Sequence, residues 1–466
     1  MSRIGVMGAH RNRVGPVDTR GRAGDDRPRE VWLEVRDPIH GAILLDRGET
    51  AVVDHPFVQR LRGIRQTGFS QMAFPGATHT RYVHSLGAMH LAGLAFDQAY
   101  QGWRFAARDA HDRLRSAVRV AALCHDLGHP PFSHCTEIAM PPVRSLPLTW
   151  VRPDRDRRAT HEDYSIAIVE STDLGAAIGR EFPFGPRHVA SLVRHDVAPG
   201  DDFFVDGGVD HRVLLSQIVS SELDVDRLDY LVRDATYTGA RYGQVDTTWL
   251  LANLAAWVVD GRAYLALEGR AVYAFDHFLL ARHHMFLMVY FHHKSVIYEE
   301  LLRRHLEGPD GLTLPADLDE YRVTDDVALL THLRSSAGPW ARRIALQQPY
   351  RRVLEKHGGT RDTEVGDAEA KLGEAGIDVI SATSSGQLSR YQPIGRTRRA
   401  APDIYVLERV VGGATARTAA ALRTVERVRT LSDASQVFER YAGERIIARL
   451  YVPPEDEERA LRLLAG

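Results

Sequence analysis

The sequence predicts a mainly α-helical protein: a helical core followed by a smaller C-terminal α/β lobe. Three observations carry this. From about Thr50 to His305, apolar residues recur at helical spacing, in segments separated by Gly-, Pro- and Asp-rich stretches such as FPGATHT and HPPFSH. Beyond Glu307 the texture changes to polar stretches and short β-branched runs. A length of 466 residues, 44% hydrophobic and 26% charged, leaves room for a large buried core and two or three domains.

Residues 1–30 are rich in Gly, Arg and Asp, lack an apolar stretch of the secretory kind, and are expected to form a mobile tail. VWLEVRDPIHGAILL then alternates, and reads as two strands turning at Asp37-Pro38. Helices are expected at about 56–66, 83–100, 111–125, 161–172, 187–195, 211–233 and 274–305. In the lobe, 377–381, 403–408 and 445–452 read as strands, 382–403 as a loop, and DEERALRLLAG as a closing helix. The expected division is a tail (1–30), a core (31–305) and a lobe (306–466) serving oligomerisation or regulation.

A net charge of −2 gives no global attraction to nucleic acid, and no basic-aromatic stripe stands in for one. Cys124 and Cys135 alone cannot build a disulfide scaffold, and no window of 18 uncharged apolar residues suggests a membrane span. A cytoplasmic protein is expected, with neither membrane nor nucleic acid as primary partner.

Chemistry concentrates in LCHDLGHPPFSH, residues 123–134. Leu114, Val118, Ala121 and His125 share one helical face, so His125 points to the core; Asp126 follows, and Gly128 with Pro130-Pro131 stops the helix. A buried carboxylate is costly unless paired or metal-bound. His84 lies on a small apolar face with Gly87, Ala88, Leu91 and Ala95. Asp226 shares a stripe with Val219, Leu223 and Tyr230, and is expected to point inward. Imidazole and carboxylate without thiolate suit Mn, Fe, Co, Ni or Zn in an open site. The blander reading is a set of hydrogen-bonded core histidines. It is adopted for a second pair, His195-Asp196, which lacks a histidine behind it.

The ordered motifs DPIHG, FVQRLRGIRQTG, FPGATHTRYVHSLG, CHDLGHPPFSH, THE and DVDRLDYLVRDA resemble the HD-domain deoxynucleoside triphosphate triphosphohydrolases, including the catalytic core of the mammalian member that adds a SAM domain. The likeness is strong over residues 31–305 and continues weakly through YRVTDDVALLTHL.

The resemblance implies an HD-domain helical core with His84, His125, Asp126 and Asp226 as ligands of a divalent metal, Mg included, and Mg with the triphosphate. It implies His129, His134 and His161 around the α-phosphate, His134 protonating the leaving oxygen. Arg81 and Arg227 would meet phosphate, and Gln66, Tyr230 and Asp234 the deoxyribose. A gapless alignment places Phe291 where the family has a Tyr beside the sugar, and Thr67 where a Leu closes the 2′ side; both bear on ribose exclusion. Asp54, Gln59 and Arg62 match positions that bind an activating guanine nucleotide, with a charged helix surface as the alternative. The implied reaction is water attack on the α-phosphorus, releasing deoxynucleoside and inorganic triphosphate. The implied assembly is a tetramer or hexamer activated by GTP or a dNTP. The competing readings are an HD phosphohydrolase of a monophosphate, cyclic dinucleotide or alarmone, and a scaffold with a residual site, which the intact ligand set opposes.

Overall fold

The computed structural model describes residues 31–148, 156–358, 363–386, 403–411, 423–437 and 445–465. The expected tail, and residues 387–402 of the expected loop, lie outside the described residues.

The chain opens with an antiparallel hairpin, β1 (Leu33–Asp37) and β2 (Gly41–Leu45). Asp37 builds its turn, its Oδ1 accepting from the Ile39 and His40 amides at 2.9 Å each. α1 (Arg47–Val53) starts on an Asp46–Glu49 capping box, and α2 (Pro56–Arg60) follows. The helix expected over 56–66 stops early: Leu61–Gly63 tightens to a 3-10 turn, and Ile64 leaves extended. At Gly63 a Cβ would sit 2.5 Å from Asp325 Oδ2, so the chain there is pressed against a distant segment.

The central helices are α3 (Arg81–Ala99), α4 (Ala110–Cys124), α5 (His161–Ser171), α6 (Asp173–Glu181) and α7 (Pro186–Val193). After the short strands β3 (Val205–Asp206) and β4 (Val209–Asp210) come α8 (Arg212–Val219) and α9 (Val225–Thr238). The helix expected over 211–233 is thus two. Asp224 caps α9 by accepting from the Arg227 amide, and this resets the helical phase. The stripe joining Val219 to Asp226 therefore does not exist: Val225, Leu228 and Leu231 are buried, while Asp226 stays 34% exposed.

α10 (Thr247–Ala252) leads to a hairpin the helical reading missed, β5 (Leu254–Val259) and β6 (Arg262–Glu268). The helix expected over 274–305 is α11 (Val272–Met285), a π-turn over Phe286–Tyr290, and α12 (His293–Glu307). Then come α13 (Leu318–Arg322), α14 (Asp326–Ser335), α15 (Pro339–Ala345), β7 (Arg351–Gly358), α16 (Thr363–Glu374) and β8 (Ile380–Gly386). The chain finishes with β9 (Tyr405–Val411), β10 (Arg423–Thr430), α17 (Leu431–Ala434), β11 (Arg445–Val452) and α18 (Glu457–Ala465).

Two sheets serve the C-terminal half. β11 lies between β7 and β8, antiparallel to both. β9, from the lobe, pairs in parallel with β6 of the core, so the sheet β10-β9-β6-β4-β3 crosses the boundary expected near residue 305. A main core runs from Ile43 on β2 through α3, α4, α5, α8 and α11. A second cluster joins Phe69 and Phe132 to α12, Leu329, Leu333 and Tyr451, binding the segment after α4 to the lobe.

Candidate metal centre and substrate pocket

His84 occupies the first turn of α3, His125 and Asp126 the end of α4, and Asp226 the first turn of α9. The fold brings all four together. His84 Nε2 lies 3.2 Å from Asp226 Oδ1 and 3.5 Å from Asp126 Oδ2; His125 Nε2 lies 3.3 Å from Asp126 Oδ1 and 3.7 Å from Asp226 Oδ1.

Their other atoms are held from behind. The His84 Nδ1–H donates to Asp229 Oδ2 at 2.8 Å, and that of His125 to the Ala122 carbonyl at 2.7 Å. Asp229 also accepts from His40 at 2.6 Å and from Arg233, whose guanidinium reaches Asp37 at 2.8 Å. The DPIHG hairpin thereby anchors the acid that orients His84.

The donor set fits a divalent cation. The Nε2 atoms of His84 and His125 are buried without a hydrogen-bond partner, and both face the two carboxylates. His84, His125 and Asp226 can each place one ligand atom within 4.8 Å of the others. The electrostatics agree. Burial lowers the His84 pKa, but Asp226, Asp229 and Asp126 outweigh it and push it up to about 10. Burial opposes ionisation of Asp126, yet Arg81, His125 and His129 hold it well below the carboxylate range. Such a site favours positive charge, and a cation can replace the proton.

Beside it lies a second group. His129 is 1% exposed and stacks on His161, with ring centroids 4.0 Å apart; His134 meets both edge-on. Glu137 joins them, accepting from His134 Nδ1 at 3.0 Å and His161 Nδ1 at 2.5 Å. Burial and Arg81 hold the His129 pKa well down. Arg81 reaches Asp126 Oδ2 at 2.5 Å and Ser133 Oγ at 2.8 Å. The connecting segment is strained, with Phe132 and Ser133 at φ 55° and 58°. Asp326 pins it, its Oδ1 accepting the Phe132 amide at 2.7 Å and its Oδ2 the Arg65 amide at 3.1 Å. Buried Arg60 donates to the carbonyls of Leu127 (3.3 Å) and His129 (2.9 Å).

On the expected sugar side, Asp234 accepts from His79 at 2.7 Å and from the Tyr290 hydroxyl at 2.6 Å. The π-turn carries one extra residue per turn, so Tyr290 rather than Phe291 meets Asp234, a shift that a gapless alignment cannot show. Tyr230 lies beside Tyr290, with centroids 6.5 Å apart. Gln66 Oε1 and Thr67 Oγ1 are buried without hydrogen-bond partners. Arg227 is turned to the Asp224 carboxylate and the Ser221 carbonyl. Asp54, Gln59 and Arg62 lie on the α1–α2 surface, where Arg62 donates to Gln59 at 2.7 Å and stacks over Tyr82. His195 shares a 2.9 Å hydrogen bond between its Nδ1 and the Ser216 hydroxyl.

Sequence reasoning missed Glu137, Asp229, His79 and Asp326. Glu137 and Asp229 each stand three residues after a candidate, His134 and Asp226, which is the readable signal. His79 and Asp326 lie inside FPGATHTRYVHSLG and YRVTDDVALLTHL, but their spacing does not single them out there.

Each of the two clusters brings imidazole and carboxylate atoms close enough together to hold a metal ion. Residues 81–234 match the HD domain and residues 245–375 the HD-associated region. It is 28% identical over 320 residues to an uncharacterized protein of Methanocaldococcus jannaschii, covering 69% of this chain and 59% of that one. It is 28% identical over 284 residues to the uncharacterized protein YwfO of Bacillus subtilis, covering 59% and 57%. With the human deoxynucleoside triphosphate triphosphohydrolase SAMHD1 it shares 31% over 221 residues, covering 44% and 33%. The chain thus spans less than two thirds of these relatives. Two solved structures share the fold. One is a hypothetical protein of Aquifex aeolicus (TM-score 0.68, 22% identity, covering 93% of this chain and 99% of that one). The other is a phosphohydrolase of Bacteroides thetaiotaomicron (0.62, 23%, 90% and 99%). Among the described residues, no helix is long and apolar enough to cross a membrane.

Proposed function

We propose that the chain is a dNTP triphosphohydrolase, cleaving dNTP to deoxynucleoside and inorganic triphosphate. The observation that carries this is the contact of the two clusters through Asp126, whose Oδ1 lies 3.3 Å from His125 Nε2 and 3.2 Å from His129 Nε2. It sets an acid-base histidine group directly against a cation site. The printed activity of the human relative supports the substrate class.

His84, His125, Asp126 and Asp226 would hold the divalent cation, with Mn, Fe, Co, Ni, Zn and Mg all compatible. When bound it supplies Lewis acidity and a water of lowered pKa. The chain's own residues do the rest. Arg81 and Arg227 offset triphosphate charge, Arg227 by leaving Asp224. His129 and His161 stabilise charge at the α-phosphoryl group. As water oxygen bonds to the α-phosphorus, the bond to the 5′-oxygen breaks, and His134, with 66% of its side chain exposed, protonates that oxygen. Glu137 fixes the tautomers of His134 and His161 by accepting at Nδ1. Gln66, Tyr230 and Asp234 receive the sugar.

A second reading, a phosphohydrolase that also takes ribonucleotides, is favoured by the buried, unpartnered Thr67 hydroxyl. The wider proposals are that the reacting groups lie within residues 31–305 and are held in shape by packing from beyond residue 305, that the lobe assembles and regulates a homo-oligomer, and that GTP or a dNTP activates at Asp54, Gln59 and Arg62.

The test is an assay of each dNTP and NTP with divalent metal, with and without GTP and dATP, monitored for triphosphate against monophosphate. Triphosphate release that His125→Ala and Asp126→Ala abolish is expected. Full activity in those variants, or monophosphate as the product, overturns the reading.

A further inference from the structure

A cavity of about 340 Å³ lies between the end of α11 and the strands β7 and β11, and it shares no residue with the two clusters described above. We propose that this cavity binds a phosphate-class oxyanion, and that the bound anion ties the lobe's strands to the π-turn that carries Tyr290.

The walls of the cavity carry the binding. His283 and His284 come from the last turn of α11, His357 from the end of β7 and Arg445 from the start of β11. Ile447 pairs with His357 and Ile446 with Gly358, which sets Arg445 and His357 at the same end of the ladder. Among the described residues, no carboxylate lines the cavity. His357 meets Glu355 Oε1 at 3.1 Å, but that carboxylate already takes Arg352 and Arg449 at 2.6 Å each. The Arg445 guanidinium forms no ion pair with a described residue. Positive charge thus gathers unanswered: burial, with His284, Arg445 and Arg282 nearby, holds the His283 pKa down. A neutral imidazole still donates one N–H, and a guanidinium offers a planar fork that matches an oxyanion. Ile447 makes part of the wall apolar, which strengthens such bonds, while exposed His284, His357 and Arg445 leave the mouth open. The volume lies at the small end of ligand pockets, roughly 300–1,000 Å³. A metal ion fits less well, because these three imidazoles do not converge to within 4.8 Å of one another as the two clusters above do.

The place of the cavity in the fold gives the anion its effect. Leu287, in its wall, belongs to the π-turn and precedes Tyr290 by three residues; the Tyr290 hydroxyl donates to Asp234 at 2.6 Å. His283 and His284 stand in the helical turn just before. A π-turn is a local irregularity of the kind found at functional sites, and its register fixes which side chain meets Asp234. An anion that joins β7 and β11 to this stretch holds Tyr290 on Asp234. This consequence, unlike the binding, rests on the function proposed above.

The experiment soaks tungstate, an electron-dense mimic of phosphate, into crystals of the full-length protein. An anomalous peak in the cavity, against Arg445 and His283, is expected. In solution, orthophosphate and inorganic triphosphate are titrated by calorimetry into wild type and Arg445→Gln. Arg445 is exposed at a strand end, and its loss should weaken the cavity's binding at least ~10-fold while leaving anion binding at the metal centre as it was. Tighter binding of triphosphate supports a polyphosphate chain as the ligand, and tighter binding of orthophosphate supports free phosphate. A cavity without a tungstate peak, or binding indifferent to Arg445→Gln, overturns the proposal. The wild-type map decides even if the variant fails to fold. Orthophosphate should also shift the KM for dNTP more in wild type than in Arg445→Gln, and an equal shift would overturn the tie to Tyr290. Absence of cleavage of every nucleotide would overturn the function instead, and the tungstate map would still decide this cavity.

Discussion

Single side chains explain why the four candidate ligands can be held in place. Asp229 is fully buried, and its charge is kept by Arg233, His40 and His84 together. Asp326 plays the matching part for the strained Phe132-Ser133 segment, and it does so at a cost. Burial raises its pKa from 3.8 to about 6, the Phe132 and Arg65 amides only partly offsetting the desolvation. A carboxyl whose folded pKa lies above its unfolded one binds protons more tightly when folded. Its contribution to stability is therefore smallest above pH 6 and grows as pH falls toward 4, by roughly 3 kcal/mol in all. The lead of wild type over Asp326→Ala, from urea unfolding, should accordingly be larger at pH 5 than at pH 7.5. A lead that shrinks or stays level on acidification would show that Asp326 is not held in this way.

Elements deliver these residues, and their legibility in sequence varies with what ends them. α3, α4, α5 and β11 were readable to within two residues, because apolar spacing and local caps or glycine-proline stops define them. The break between α8 and α9 was not, because Asp224 acts as a cap only once Leu223 and Val225 are buried on either side of it. The π-turn was equally hidden, since its extra residue is paid for by the Tyr290–Asp234 contact far off in sequence. The same logic explains why His84, His125 and Asp126 could be picked out from their helices while Asp326 could not. Close approach between elements makes a sharp prediction at Gly128. A Cβ there would lie 2.0 Å from the His161 carbonyl and 2.4 Å from the Ser165 amide, backbone atoms that cannot turn aside. Gly128→Ala must push α5 off the end of α4, breaking the bonds Ser165 makes to the Gly128 amide and the His125 carbonyl. A loss of about 3 kcal/mol or more in urea unfolding is expected, with His161 displaced and hydrolysis reduced. Gly179→Ala on α6, with nothing within 4 Å of the added carbon, is the control and should be neutral or stabilising.

At the scale of the whole molecule, the change of texture near residue 305 marks a change of secondary structure more than a seam in the packing. Val296, Ile297, Leu301 and Leu302 of α12 are buried, and the partners in their cluster include Leu329, Leu333, Ile344, Tyr350 and Tyr451 from the far side of that line. Phe69 and Phe132 belong to the same cluster, so the segment bearing His134 packs against the lobe. Asp326, which pins that segment, also lies beyond residue 305, and β9 covers the edge of β6. A chain ending at residue 305 would expose the apolar face of α12, uncover the β6 edge and release Phe132 and Ser133 from their left-handed conformation. Such a chain should aggregate or unfold without a cooperative transition, read by size-exclusion chromatography and thermal circular dichroism, and should show no metal-dependent hydrolysis. A monodisperse 1–305 chain that unfolds cooperatively and retains activity would establish an autonomous core and reduce the shared cluster to a docking contact. The packing favours the first result, because the residues that shape the histidine group come from both sides of the line.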